Sequence, residues 1–256
     1  MKKNSNLSST KLPKSIKAYI RHLEQVRSDF VANVSHELRT PLTVIQGYLE
    51  TLIKSERYDK KVLQKIFIQM YQHSVRMADI IEDLLLLSHL ESDDHFTDEK
   101  NMISVSDILT TLCIDAKSIS GNKLHHITLK TEPTLFLSGS ESELRSLFSN
   151  IIVNAIKYTP SKGDILIQWY GDHLGRGIFK VTDTGIGIAR EDMPRVTERF
   201  YRVDKARSRE RGGTGLGLAI VKHVLLRHDG ELYIESVLDK GSTFTCVFPA
   251  SRIVIK

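Results

Sequence analysis

Residues 33–43 read NVSHELRTPLT, and they lie in a stretch whose apolar spacing decides the first part of the fold. Val31, Val34, Leu38, Pro41, Ile45, Tyr48 and Leu52 recur in steps of three and four, which is the spacing of one helix face. At ~100° per residue, with the seam at Val34, Leu38 and Ile45, His36 falls about 180° from the seam centre. Ala32, Thr40, Thr43 and Gly47 fall on the same side as His36. The solvent side of a helix usually carries long charged residues; this one is small, so another protein surface can approach the imidazole closely. Pro41 removes a helical hydrogen bond just after His36 and bends the axis. Glu37 is adjacent and able to orient the ring or take its proton. An isolated histidine on a helix is usually a surface residue with incidental neighbours. The small-residue face and the internal proline argue for more here.

Moving outward, the helical pattern runs over residues 15–91 with one break near 55–61. Phe67, Met70, Met77, Ile81 and Leu84 continue the three-four spacing, with Ser74 in one seam position. A second row, Leu63, Ile66, Ile80 and Leu87, widens the stripe. Two such helices make only a hairpin with half-exposed stripes, and pairing two hairpins into a dimeric four-helix bundle covers them. A coiled-coil spacer is the plainer alternative.

The polar stretch SDDHFTDEKN reads as a linker at 92–101, and the pattern then changes. HITLKT, TLFLS, DILIQWY, GIFKVTD, ELYIESV and STFTCVF read as strands. Helical segments fall near 105–118, 140–158 and 216–228. This order lacks regular βαβ alternation, so an α/β sandwich is expected rather than a Rossmann sheet. The expected organisation is a flexible N-terminal segment (1–14), a dimerising helical hairpin (15–91), a linker (92–101) and an α/β-sandwich domain (102–256).

The 256 residues, 41% apolar and 26% charged, have the composition of an ordinary globular protein, which excludes disordered and fibrous classes. Cys113 and Cys246 lie far apart in apolar surroundings and make neither a metal site nor a disulfide framework. The net charge of +5 comes without a basic run interleaved with aromatics, so no nucleic-acid partner is expected. No window reaches the roughly 20 apolar residues of a membrane span, and the N-terminus has no signal-peptide core. The expectation is a cytosolic protein or the soluble part of a longer one.

Three motifs in the second region carry chemistry. In NIIVNAIKYTP, Asn150 and Asn154 are one turn apart, with Lys157 and Tyr158 just beyond. Asparagine oxygens suit a Mg²⁺ that keeps waters and substrate phosphates, and Lys157 offers a point charge to phosphate. In FKVTDTGIGI, Asp183 ends a strand and enters a turn with Gly185 and Gly187; its carboxylate can accept from an adenine amino group. In RGGTGLGLAIVKHVLL, Gly212, Gly213, Gly215 and Gly217 lead into a helix whose start can cradle phosphate. The run matches neither the dinucleotide fingerprint nor the P-loop. Between the last two motifs, ERFYRVDKARSRERGG places Arg202, Lys205, Arg207, Arg209 and Arg211 in a polar loop that reads as a lid over a polyphosphate. Taken singly, each motif also has a bland reading as surface polarity or a tight turn.

Together and in this order, the motifs resemble those of the bacterial sensor histidine kinases of two-component systems. NVSHELRTPL is similar to the H box, NIIVNAIKYTP to the N box, DTGIGI to the first glycine box, ERFYR to the F box and GGTGLGLAI to the second glycine box. GSTF matches the last glycine motif. The stretch LTVIQGYLETL is similar to the phosphate-regulon sensor branch. The resemblance implies a histidine kinase/Hsp90-like ATP-binding sandwich, with ATP and Mg²⁺ as cofactors. It implies His36 as phospho-acceptor, Glu37 as its acidic neighbour and Thr40 as the position used in dephosphorylating the partner. Asn154 is implied as the metal ligand, with Asn150, Lys157, Tyr158, Asp183, Gly185, Gly187, Arg202, Gly213, Thr214, Gly215, Leu216 and Gly217 around the nucleotide. Related ATPases carry a water-activating glutamate where this chain has Asn150, an amide that cannot act as a base, which favours transfer over hydrolysis. Two positions depart from the family pattern: Thr197 replaces a frequent aromatic, and Asp229 a frequent glycine.

The function so implied is ATP-dependent autophosphorylation of a histidine, then transfer to an aspartate of a response regulator, with regulator phosphatase activity and a link to phosphate starvation. The expected partners are a response regulator and a second copy of the chain. The expected location is cytoplasmic, with the parent protein anchored in the bacterial membrane through an upstream segment. The rivals are an ATPase or chaperone of the same superfold, which leaves NVSHELRTP without a purpose, and a dimeric scaffold or pseudokinase that docks a regulator without autokinase activity.

Overall fold

The computed structural model describes residues 14–54, 59–91, 101–203 and 213–256, apart from the side chains of residues 14, 15, 19, 22 and 23. The expected N-terminal segment up to residue 13, the linker up to residue 100, Gly212 and the arginine-rich loop at 204–211 lie outside the described residues. The chain forms two compact units that divide within the second helix, between Met77 and Ala78.

The first unit is helical. α1 (Lys14–Lys54) keeps Pro41 inside it. Asp59 starts α2 (Lys60–Glu91): its side chain accepts from the Lys61 N–H at 2.8 Å and its carbonyl from Val62 at 3.0 Å and Leu63 at 3.1 Å. On α1, Pro41 is buried, and Val34, Leu38, Ile45, Tyr48 and Leu52 are half-buried. On α2, the row expected only to widen the stripe is the buried one: Ile66, Ile80 and Leu87 are covered, while Phe67 and Ile81 remain exposed. A single chain covers one side of a wide stripe and leaves the other to solvent.

The second unit begins with the end of α2. Beyond it come β1 (Met102–Ser104), α3 (Val105–Ser120), β2 (His126–Thr131), β3 (Leu135–Ser138), α4 (Glu141–Tyr158), β4 (Asp164–Gly171) and β5 (Gly177–Asp183). Then follow α5 (Gly217–Arg227), β6 (Glu231–Val237), β7 (Gly241–Phe248) and β8 (Ile253–Ile255). The main sheet has the order β2-β4-β5-β7-β6, with β2 and β4 parallel and the other pairs antiparallel. A small antiparallel sheet, β1-β3-β8, stands beside it; its two outer strands are too short to be read from the sequence.

Alternation along the strands builds the core. Ile165, Ile167 and Trp169 on β4 and Phe179 and Val181 on β5 point inward and are at most 1% exposed. They meet α4, which also packs on α3 and α5. Phe148 of α4 lies 4.6 Å from Phe179, ring centre to ring centre. Trp169 donates its indole N–H to the Leu135 carbonyl at 3.1 Å and so joins the two sheets. Side chains of this size each stabilise the fold by roughly 1.5–3 kcal/mol on burial.

Two cationic or imidazole side chains set the ends of α4. Lys123 donates to the carbonyls of Ile156 and Lys157 at 2.9 and 3.1 Å, a positive charge at the negative end of the helix. At the other end, the His228 ring donates from Nδ1 to the Val224 carbonyl at 2.8 Å and accepts at Nε2 from the Ser140 N–H at 3.2 Å. His228 thereby links the end of α5 to the start of α4. Burial holds its pKa below the ordinary value, against the attraction of Glu143. The departure at Asp229 has a local reason: its φ of 53° is the left-handed conformation that favours glycine, and its carboxylate is held by Arg252 at 3.0 Å.

Candidate functional site

In the first unit, His36 is exposed, and so are Ala32, Thr40, Thr43 and Gly47. A side chain added at Gly47 would meet nothing within 4 Å, so that face is open. The Thr40 hydroxyl donates to the His36 carbonyl at 3.1 Å, which keeps its oxygen close to the helix. The Glu37 carboxylate is engaged by Arg76 of α2 at 2.9 Å, both side chains being half-buried. Arg76 is a partner that periodicity alone does not reveal.

The second unit gathers the three remaining motifs. Asn150, Asn154, Lys157 and Tyr158 lie on the C-terminal half of α4, all half-buried. The Asn150 amide donates to the Ser146 carbonyl at 3.0 Å, which turns its oxygen outward toward the start of α5. A Cβ placed on Gly217 would come within 2.3 Å of that oxygen, so the glycine permits the approach of the two helices. A Cβ on Gly213 would lie 2.7 Å from the Lys157 ammonium, which brings the second glycine run against the lysine.

Asp183 ends β5 and is buried. Its Oδ1 accepts from the Gly185 N–H at 2.8 Å and from the Ser242 N–H at 3.3 Å, which leaves Oδ2 for a ligand's amino group. Burial pushes its pKa up, and the two backbone donors oppose that shift. The Ile186 N–H donates to the Tyr158 carbonyl at 3.2 Å, so the turn after Asp183 is fastened to the end of α4. The Ser236 hydroxyl accepts from the Ile188 N–H at 2.8 Å, and no motif points to that serine.

Gly215 has a φ of 74°, and its carbonyl accepts from the Phe200 N–H at 2.8 Å. The F-box phenylalanine is thus tied to the glycine loop. The Thr214 hydroxyl accepts from the Leu216 N–H at 3.2 Å and donates to Asp83 of α2 at 2.9 Å. Arg202 is half-buried.

The second unit therefore puts two asparagines, a lysine, a buried carboxylate and a glycine-rich helix start around one place. The donor set is made of neutral and hard oxygens. Among the described residues, no group of three or more His, Cys, Asp and Glu could hold a metal by itself. The neutral amide oxygens of Asn150 and Asn154 are of the kind that fits a Mg²⁺ keeping waters and substrate phosphates.

Comparison with known proteins agrees with this class. Residues 26–93 match the His Kinase A (phospho-acceptor) domain. Residues 139–252 match the histidine kinase-, DNA gyrase B-, and HSP90-like ATPase domain, a fold that uses ATP. The chain belongs to the histidine kinase family.

Among its relatives is the phosphate regulon sensor protein PhoR of Pseudomonas aeruginosa, 51% identical over 234 residues, which cover 91% of this chain and 52% of that protein. PhoR of Haemophilus influenzae is 40% identical over 92% of this chain and 54% of its own length. The chain thus spans about half the length of these relatives. The fold is that of the Acinetobacter baumannii histidine kinase AdeS, with a TM-score of 0.65 over 84% of this chain and 98% of that one, at 23% identity. It is also that of histidine kinase ThkA solved in complex with the response regulator protein TrrA, with a TM-score of 0.70 over 90% of this chain and 64% of that one, at 19% identity. No described helix is long and apolar enough to cross a membrane.

Proposed function

We propose that the chain takes the γ-phosphoryl group of ATP onto His36 and passes it to an aspartate of a response regulator. The observation that carries this reading is the pairing of an exposed histidine on an open, small-residue face with a separate nucleotide cradle around Asn154, Asp183 and the α5 start. Asp183 receives the adenine amino group through Oδ2. Lys157 and the N–H groups at the start of α5 hold the phosphates. Asn154 would hold a Mg²⁺, which offsets phosphate charge when bound.

The neutral imidazole of His36 attacks the γ-phosphorus. The new N–P bond forms as the bond to the bridging oxygen breaks, and ADP leaves with that electron pair. The proton on the other ring nitrogen is held by Glu37 once the carboxylate turns from Arg76. Most of the acceleration comes from positioning and charge neutralisation. The regulator's aspartate then attacks the phosphohistidine, and the small face of α1 gives it room. Thr40, one turn beyond His36, is the position from which a water is aligned for dephosphorylating the regulator.

A second copy of the chain covers the apolar residues that α1 and α2 leave exposed, among them Ile53 at 83% and Tyr71 at 71%. The likeness to the PhoR proteins, named as phosphate regulon sensors, supports a signal related to phosphate supply; a membrane-anchored parent is proposed from the family resemblance alone.

The test is incubation with γ-labelled ATP and Mg²⁺, comparing wild type with His36→Gln and Asn154→Asp. Acid-labile, base-stable label is expected on wild type alone. Phosphate release that persists in His36→Gln, with no label on wild type, would sink the kinase reading in favour of an ATPase.

A further inference from the structure

The end of α2 makes a contact with the glycine loop that the reaction does not use. The Asp83 carboxylate accepts from the Thr214 hydroxyl at 2.9 Å, and that hydroxyl accepts in turn from Leu216 at the cap of α5. Lys157 is close enough for its charge to act on Asp83. A hydroxyl, an ammonium and a helix start are the groups a phosphate oxygen would take. Asp79 and Glu82 add negative charge around the same carboxylate. Two turns further on, Glu91 holds α2 to the same unit through Arg199 and through His223 at 3.4 Å.

A triphosphate and this group of carboxylates are alike in charge and compete for the same donors. They cannot share the loop without mutual repulsion. We propose that Asp83 is a tethered competitor for the nucleotide's phosphates, so that nucleotide entry and release of the end of α2 from the glycine loop are one exchange. The idea rests on the nucleotide reading above and deepens it. It makes the resting chain self-inhibited: the apparent affinity for ATP falls by the fraction of molecules in which Asp83 holds the loop. Binding of the triphosphate frees the end of α2 from the glycine loop.

The experiment measures the affinity of the full chain for a non-hydrolysable ATP analogue and for adenosine. The proteins compared are wild type, Asp83→Ala, Glu91→Gln and Asp183→Asn. Asp83→Ala is expected to tighten the analogue on the order of tenfold, the scale of one hydrogen bond to a charged group. Adenosine, which has no phosphates, is expected to bind both proteins alike. Glu91→Gln loosens the same contact from its other end and is expected to tighten the analogue by a smaller factor, which keeps the idea testable if Asp83→Ala folds poorly. Unchanged or weaker analogue binding in both variants would overturn the proposal, as would an equal gain for adenosine. Asp183→Asn separates the two levels: if it leaves adenosine binding intact, the nucleotide reading itself fails.

Discussion

Gly215→Ala is a small change with a large expected effect, because both its backbone and its surroundings exclude a side chain. The φ of 74° costs an L-residue roughly 1–2 kcal/mol. The added Cβ would lie 2.8 Å from the Phe200 Cα and 2.9 Å from its carbonyl carbon, and neither backbone atom can rotate away. The loop must therefore shift, which breaks the Phe200 N–H to Gly215 carbonyl bond of 2.8 Å, worth about 1 kcal/mol. Together these amount to roughly 2–3 kcal/mol. The loop sits at the edge of the core, so most of that is expected as lost nucleotide affinity and little as lost stability. Titration with a fluorescent ATP analogue is expected to give a Kd about 30- to 150-fold weaker than wild type. Thermal unfolding without nucleotide is expected to change little. Affinity within twofold of wild type would refute the placement of the phosphates at this loop. A full-sized loss of stability with unchanged affinity would make the glycine structural only.

Two further outcomes rest on the supports of α4. Lys123→Met removes the charge that holds the carbonyls of Ile156 and Lys157, and it is expected to cost about 1.5–3 kcal/mol in chemical denaturation and to weaken ATP binding as the helix end loosens. His228→Gln tests a pH effect. Burial holds the folded pKa below histidine's ordinary value of about 6.5, so the unfolded chain binds the proton more readily and stability is lost as pH falls below that value. Wild type is expected to lose stability over that range, and the glutamine variant, which has no proton to gain, to show a flatter profile.

Much of the fold was legible because the hydrophobic periods are clean. HITLKT, GIFKVTD and ELYIESV coincide with β2, β5 and β6, and the break between α1 and α2 falls within the expected window. β1 and β8 escaped because three residues carry no period, and their pairing with β3 is a long-range matter. The small face around His36 followed from helical geometry, since an angle fixes which residues share a side. The contacts that arrange the site did not. Arg76 reaches Glu37 from the other helix, and Lys123 caps α4 from a turn. Asp83 meets Thr214 across 131 positions of sequence. Each is a polar side chain in a stretch that local pattern assigns to solvent. The exposure of Phe67 and burial of Ile66 were also inverted relative to the seam drawn from the sequence. A stripe wide enough for two neighbours does not say which side its own chain will cover.

The proposed reaction delivers a phosphoryl group from ATP to His36 and to no other residue. It is tested most directly by letting the protein react with ATP and Mg²⁺ and mapping the modified residue by mass spectrometry under neutral conditions that preserve phosphoramidates. The expected result is phosphate on the peptide containing His36 and on none of the other histidines among the 10 in the chain. Phosphate on a different histidine, or an acid-stable modification of a serine or threonine, would contradict it.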